Sequence, residues 1–192
     1  SATGITVAGG GISNDANHIS APSRTGDGLA FAIGAALREA SLGAAAIGMV
    51  NPHGTATLYN DEMESKALHL AGLCGVPCNS LKPYFGHTLG ASGVIESIVT
   101  VRELCEGTCF GVKGYAECGV PYPPDVSAAH REIRTDTALK TASVDGMPTS
   151  TLDLPGFFFI AILLFLQFRQ ALFQLLIRRH IAFGRGLRAG RV

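Results

Sequence analysis

Two histidines stand in settings that suit them to chemistry. His53 lies in NPHGTATLYNDEMES (51–65), between a proline and a glycine, and His87 lies in KPYFGHTLGASGVIE (82–96), after Gly86 and ahead of two further glycines. Proline fixes one torsion and glycine removes side-chain bulk, so an imidazole placed between them can face a cavity. A neutral imidazole donates one hydrogen bond, and two donors converging on one point stabilise an oxyanion as it forms. Lys82, five residues before His87, is placed to orient a neighbour or to balance charge. A histidine in a glycine-rich turn is also a common structural residue, so spacing alone leaves that reading open. His18 and His69 carry less weight, and His130 and His180 carry none. His53, Asp61 and Glu64 have the residue types of a metal hydrolase, but their spacing fits no helical ligand pair.

The elements that must position these residues follow from apolar periodicity. ATGITVAGGGI (2–12) suits a buried strand, and LAFAIGAALREAS (29–41) a helix with Asp27 as its cap. AAIGMV (45–50) reads as a second strand, ending where His53 begins. Residues 60–73 form an amphipathic helix with Met63, Ala67, Leu68 and Leu70 on one side and its acids early, where they suit the helix dipole. A short strand over 76–82, a helix over 91–104 and a last strand over 137–144 complete the series. Alternating strands and helices imply an α/β fold, a sheet covered by helices with chemistry in loops at the strand ends, where both histidine clusters fall.

The chain is 47% hydrophobic and 16% charged, which excludes a disordered polymer. Its formal charge is zero, so no nucleic-acid partner is expected. The balance conceals a division: residues 1–150 hold 9 Lys/Arg against 14 Asp/Glu, whereas 151–192 hold 6 arginines, no lysine and one aspartate. Five cysteines, Cys74, Cys78, Cys105, Cys109 and Cys118, lack zinc-site spacing and read as reduced packing residues. No signal-peptide pattern opens the chain, and a cytoplasmic location is expected. PGFFFIAILLFLQF (155–168) is too short for a membrane helix, which needs about 20 apolar residues. An interfacial or artefactual hydrophobic segment is the expected reading, with a membrane-tethered module as an alternative.

Taken together, HGTAT with Asn60, Asp61 and Glu64, then KPYFGHTLGASGVIE, resemble the C-terminal half of β-ketoacyl-acyl-carrier-protein synthases, of the type II elongating kind. DANHI (15–19) and GDG (26–28) resemble the same half. The resemblance covers residues 1–142. It implies the C-terminal half of a thiolase-like fold, a mixed sheet covered by helices, over residues 1–143. It also implies the acyltransferase chemistry of a decarboxylative Claisen condensation between malonyl-carrier protein and an acyl thioester. By resemblance His53 and His87 bind the thioester oxygen, Lys82 supports them, and Glu96 is the buried partner of Lys82; Thr55, Asp61 and Gly86 belong to the same motifs. No cofactor and no metal are implied, and the partners are acyl carrier protein and acyl or malonyl thioesters.

Two departures qualify the resemblance. The family's cysteine nucleophile has no counterpart among the five cysteines, so the chain alone is expected to be inactive, with a separate N-terminal half or a homo- or heterodimer partner supplying the thiol. Residues 144–192 replace the family's glycine–phenylalanine gate with an atypical hydrophobic and basic tail, expected to be frameshifted and poorly ordered or helical. A non-catalytic half-domain that pairs with a complete synthase is the remaining alternative.

Overall fold

The computed structural model describes residues 4–14, 23–144 and 158–166. Its main sheet has six strands: β1 (Ile5–Asn14), β2 (Met49–Asn51), β3 (Pro77–Cys78), β5 (Asp125–Val126), β7 (Thr137–Val144) and β8 (Phe158–Leu166). Their spatial order is β1-β8-β7-β2-β3-β5. A small antiparallel ladder joins β4 (Thr108–Cys109) to β6 (Arg131–Glu132). The helices are α1 (Asp27–Glu39), α2 (Leu58–Leu70), the single turn α3 (Lys82–Phe85) and α4 (Ser92–Glu106). β7, β2, β3 and β5 run parallel, and β8 runs antiparallel to both of its neighbours, so the sheet is mixed.

The glycines of β1 exist for the helix that covers them. A Cβ on Gly11 would stand 2.0 Å from the Ala32 carbonyl oxygen, and one on Gly9 2.5 Å from that of Ala36. Small residues on both sides, GGG on the strand and Ala32 and Ala36 on α1 with Ala40 at its C-cap, let helix and strand backbones touch. Around that contact Leu29, Ile33, Val50, Met63, Leu68, Leu73 and Leu139 form the main core. A second cluster of Met49, Leu104, Cys109, Ile133 and Ala138 lies under α4.

Most sequence-predicted elements are present with shifted ends. The second strand shortens to Met49–Asn51 behind a 3-10 turn at Ala44–Ala46, and the third to Pro77–Cys78. Asp27 does not cap α1: Gly26 is the cap residue, and Asp27 is the first residue inside, where its charge still favours the helix dipole. Leu70 is exposed rather than on the buried side of α2, whose inner face instead carries Asn60, Glu64 and Ser65 beside Met63, Ala67 and Leu68.

The largest correction concerns the apolar run. Residues 158–166, FFIAILLFL, expected to be helical or poorly ordered, form a strand between β1 and β7, paired with β1 over Phe158–Leu166 and with β7 over Phe158–Phe165. Helices α1 and α4 both lie against it. A continuous apolar run suits a strand covered on both faces as well as a helix segment, and periodicity cannot separate the two. The rest of the tail and the DANHI stretch with His18 lie outside the described residues. Among the described residues no helix is long and apolar enough to cross a membrane.

Candidate active site

β2 ends at Asn51 and delivers Pro52 and His53 into a tight turn. Gly54 adopts φ +52°, and a Cβ there would meet Ser80 at 2.8 Å, so only glycine fits the turn without displacement. Glu64, on the first turns of α2, reaches back and takes two backbone amides: His53 N donates to Oε1 and Gly54 N to Oε2, each at 2.7 Å. Asn60 Nδ2 donates to the same carboxylate at 3.1 Å and is itself tied to Ser143 Oγ at 3.0 Å. The polar inner face of α2 thus grips the turn that carries His53.

Lys82 opens α3 and is buried. Its ammonium donates to the His53 carbonyl, to Glu96 Oε1 at 2.6 Å, and lies 3.2 Å from His53 Nδ1. After α3, Gly86 takes φ +77° with ψ −175°, a conformation essentially reserved for glycine, and turns the chain into His87. Thr88 and Leu89 then sit at φ +53° and +48°. Two consecutive non-glycine residues in the left-handed region cost on the order of 1–3 kcal/mol each, and such strain concentrates at functional sites. The His53 and His87 rings meet edge to face, centroids 4.9 Å apart and planes at 77°. His53 is 5% exposed, whereas His87 is open to solvent.

The electrostatics separate the two histidines. Burial, reinforced by the Lys82 and Lys140 charges and by His87, holds His53 down at about 3, so it is neutral at physiological pH. With a lysine donor at Nδ1, the ring proton belongs on Nε2. Burial raises the Glu64 carboxyl against the two amides that favour its ionised form. Asp61 is likewise raised by burial, against the backbone amides of Ala56, Thr55 and Thr57. Thr55 and Thr57 share a hydroxyl contact of 2.8 Å at the mouth of the turn. Beside them opens a cleft of about 680 Å³, walled by Thr55, Asp61, Lys82 and His87 on one side and by the 112–120 segment on the other.

The structure therefore brings His53, His87, Lys82 and Glu96 together, with Gly86 shaping the approach and Thr55 and Asp61 at the cleft. One partner was missed in the sequence. Lys140, in the middle of β7, is 1% exposed and places its ammonium 2.7 Å from Glu96 Oε2. The signal was a lysine inside TALKTASV, a strand whose other residues are apolar or small. None of the five cysteines opens a helix: Cys74 follows α2, Cys78 and Cys109 lie in strands, Cys105 lies in the last turn of α4 and Cys118 lies in a loop. Burial pushes the Cys109 thiol up to about 12 and that of Cys78 well above its usual range.

Residues 5–112 match the family described as the C-terminal domain of β-ketoacyl synthase. A 3-oxoacyl-[acyl-carrier-protein] synthase 2 from Vibrio cholerae is 44% identical over 104 residues, 52% of this chain and 25% of that protein. A putative mitochondrial 3-oxoacyl-[acyl-carrier-protein] synthase from Schizosaccharomyces pombe is 32% identical over 149 residues, 71% of this chain and 34% of that protein. Among solved structures, a β-ketoacyl synthase from Burkholderia phymatum superposes with a TM-score of 0.72 at 28% identity, covering 84% of this chain and 37% of that one. A type II polyketide synthase acyl carrier protein in complex with its ketosynthase, bound to a hexaketide, gives 0.72 at 25% identity, covering 83% and 38%. The chain belongs to the β-ketoacyl synthase family and has the thiolase-like fold of its C-terminal half. It spans about a quarter to a third of the length of the curated relatives it matches.

Proposed function

We propose that this chain supplies the two-histidine half of a 3-oxoacyl-acyl-carrier-protein synthase acting in fatty acid or polyketide synthesis. The observation that carries this reading is the His53–His87 pair, with His53 held neutral and its Nδ1 occupied by Lys82. In the proposed reaction the malonyl thioester loses its carboxylate as carbon dioxide, and the electrons of the broken C–C bond pass to the α-carbon. The resulting enolate oxygen receives hydrogen bonds from the two imidazoles, charge that exists mainly in the transition state. The α-carbon then attacks an acyl-cysteine thioester, and the thiolate leaves.

The thiolate is proposed to come from outside residues 4–144. A reactive cysteine needs a helix N-terminus or a cationic neighbour to lower its pKa, and the buried Cys78 and Cys109 are pushed the other way. Carrier-protein thioesters are the proposed substrates, consistent with the carrier-protein complex of the similar polyketide ketosynthase.

The test incubates the chain with malonyl- and acyl-carrier protein, alone and with a separately produced nucleophile-bearing half. Product only in the combined reaction is expected, with carbon dioxide release abolished by His53→Ala. Equal turnover by the chain alone would refute the division of labour, and no release in either reaction would refute the chemistry.

A second reading, a non-catalytic half-domain that docks on a synthase, has its own observation. The outer face of α4 exposes Val94 and Ile98, and β1 exposes Val7 and Ile12. In this second reading the partner covers these apolar side chains. A defined heterodimer that shows no carbon dioxide release would favour this reading over the catalytic one.

A further inference from the structure

Lys140 has no place in the reading above, yet it is among the most deeply buried charged groups of the described residues. Its ammonium makes four contacts: Glu96 Oε2 at 2.7 Å and the carbonyl oxygens of Thr141 at 2.5 Å, Pro52 at 3.1 Å and Asn51 at 3.4 Å. Two of those carbonyls immediately precede His53. The Pro52–His53 peptide group is held at both ends, its carbonyl by Lys140 and its amide by Glu64, and the Gly54 amide also donates to Glu64. The turn from 51 to 54 is thus held between a cation that takes its carbonyls and an anion that takes its amides.

Glu96 is shared in the same manner, with one oxygen on Lys82 and the other on Lys140. Were Lys140 absent, both oxygens would compete for Lys82, whose remaining donor lies at His53 Nδ1.

We propose that Lys140 is a positioning residue for His53: by ion-pairing with Glu96 Oε2 and clamping the Asn51 and Pro52 carbonyls, it keeps Lys82 on His53 Nδ1 and so fixes the neutral imidazole with its proton on Nε2. The catalytic consequence rests on the condensation reading; the tautomer itself does not.

The charged and titratable groups facing this pair come from every neighbouring element: Glu64 and Asp61 of α2, Lys82 of α3, Glu96 of α4, and His87 of the loop between α3 and α4. After burial itself, Lys82, then Lys140, then His87 hold His53 below its ordinary range.

The experiment is nitrogen-15 NMR of the full chain with labelled histidine, comparing the wild type with Lys140→Met and Lys140→Gln. In the wild type His53 should be the Nε2–H form throughout the neutral range. In either variant a tautomer mixture should appear, with the His53 midpoint raised by about one unit, the size expected when one nearby like charge is removed. A folded variant with wild-type tautomer and midpoint would overturn the proposal.

If neither variant folds, the wild type still decides. Burial lowers Lys140 to about 8. The His53 nitrogen shifts should therefore step together with the Lys140 Cε resonance on titration from neutral to alkaline pH. A flat His53 response, or a midpoint that does not coincide with that of Lys140, refutes the clamp. Loss of condensation activity with an unchanged tautomer would count against the condensation reading's demands on His53, and not in favour of the clamp.

Discussion

Two flanks of the same sheet are built by different physics. On one, β1 and α1 meet through glycine and alanine, with backbone atoms in close contact and polar bridges only toward the ends of the helix, from Ser13 to the Gly28 carbonyl and from Gly10 N to Glu39. On the other, β2, β7, α2, α3 and α4 converge on Lys82, Glu96, Lys140 and Glu64, four charged side chains almost wholly removed from water. The first flank is a packing problem that small residues solve. The second is costly, because desolvating a carboxylate or ammonium is repaid only by close partners. A fold keeps such a cluster where orientation matters more than stability, and the cluster here orients a neutral histidine.

The comparison breaks most decisively at β8, which belongs to both flanks. Truncation after Val144 removes the strand between β1 and β7, which detaches β1 from the sheet and leaves β7 paired on one side only, with β2. Loss of cooperative unfolding is expected, seen as a sloping denaturant curve. A truncated chain with an unchanged sharp transition would mean that β8 contributes nothing to the sheet.

Within the charged flank the largest single effect should come from Glu96→Gln. It strips the counter-ion from two buried lysines at once, and removing one partner of a buried pair costs about 3–5 kcal/mol. Urea unfolding should register this, and Lys140→Met on top of it should restore part of the loss, since one uncompensated charge is then gone.

The pH dependence of the same flank has a definite sign. His53 is held at about 3, against 6.5 in an unfolded chain. Its contribution is complete above pH 6.5 and is lost as pH falls toward 3, because only the unfolded state then takes up a proton. The raised carboxyls of Glu64 and Asp61 act in the opposite sense, so the measurement is the difference between wild type and His53→Gln. That difference should shrink by about 3 kcal/mol between pH 6.5 and 3.5, an order-of-magnitude figure from the shift. A constant difference would mean that His53 is not buried neutral.

How much of this was legible follows the same division. The histidine pair, Lys82 and Glu96 were readable because their motifs are local in sequence, and the strand–helix alternation was readable because its apolar periods are. Lys140 was not, because its partners lie 44 and 88 residues away, at Glu96 and Pro52, and a strand lysine gives no sequence sign of what it faces. β8 was misread because nine apolar residues in a row carry no period. The strand over 2–12 was legible, but nothing local in its GGG tells that the reason for it is the backbone of α1.

The packing flank should be less sensitive than the charged one, but not indifferent. Gly11→Ala places a methyl 2.0 Å from the Ala32 carbonyl oxygen, which is backbone and cannot rotate away. Overpacking of this kind costs about 1–3 kcal/mol, by separating α1 from β1 rather than by exposing charge. Its salt dependence therefore distinguishes it: the Gly11→Ala loss should be the same in low and high salt. A penalty that changed with ionic strength would mean that α1 is held by its Glu39 contact to Gly10 N, at 2.7 Å, more than by the glycine–alanine seam.

The smallest effect is expected at an ion pair that looks similar on paper. Arg134 and Glu132 approach to 3.2 Å, but both side chains stand in water. Exposed pairs gain little, because solvent screens them and two long side chains lose rotamer freedom. Arg134→Ala should leave the urea midpoint within error of the wild type, while Glu96→Gln shifts it by about 1–3 M, as about 3 kcal/mol implies for a urea slope of about 1–3 kcal/mol per molar. If the two substitutions cost the same, burial is not what gives the charged flank its weight, and the contrast between the two flanks fails at its premise.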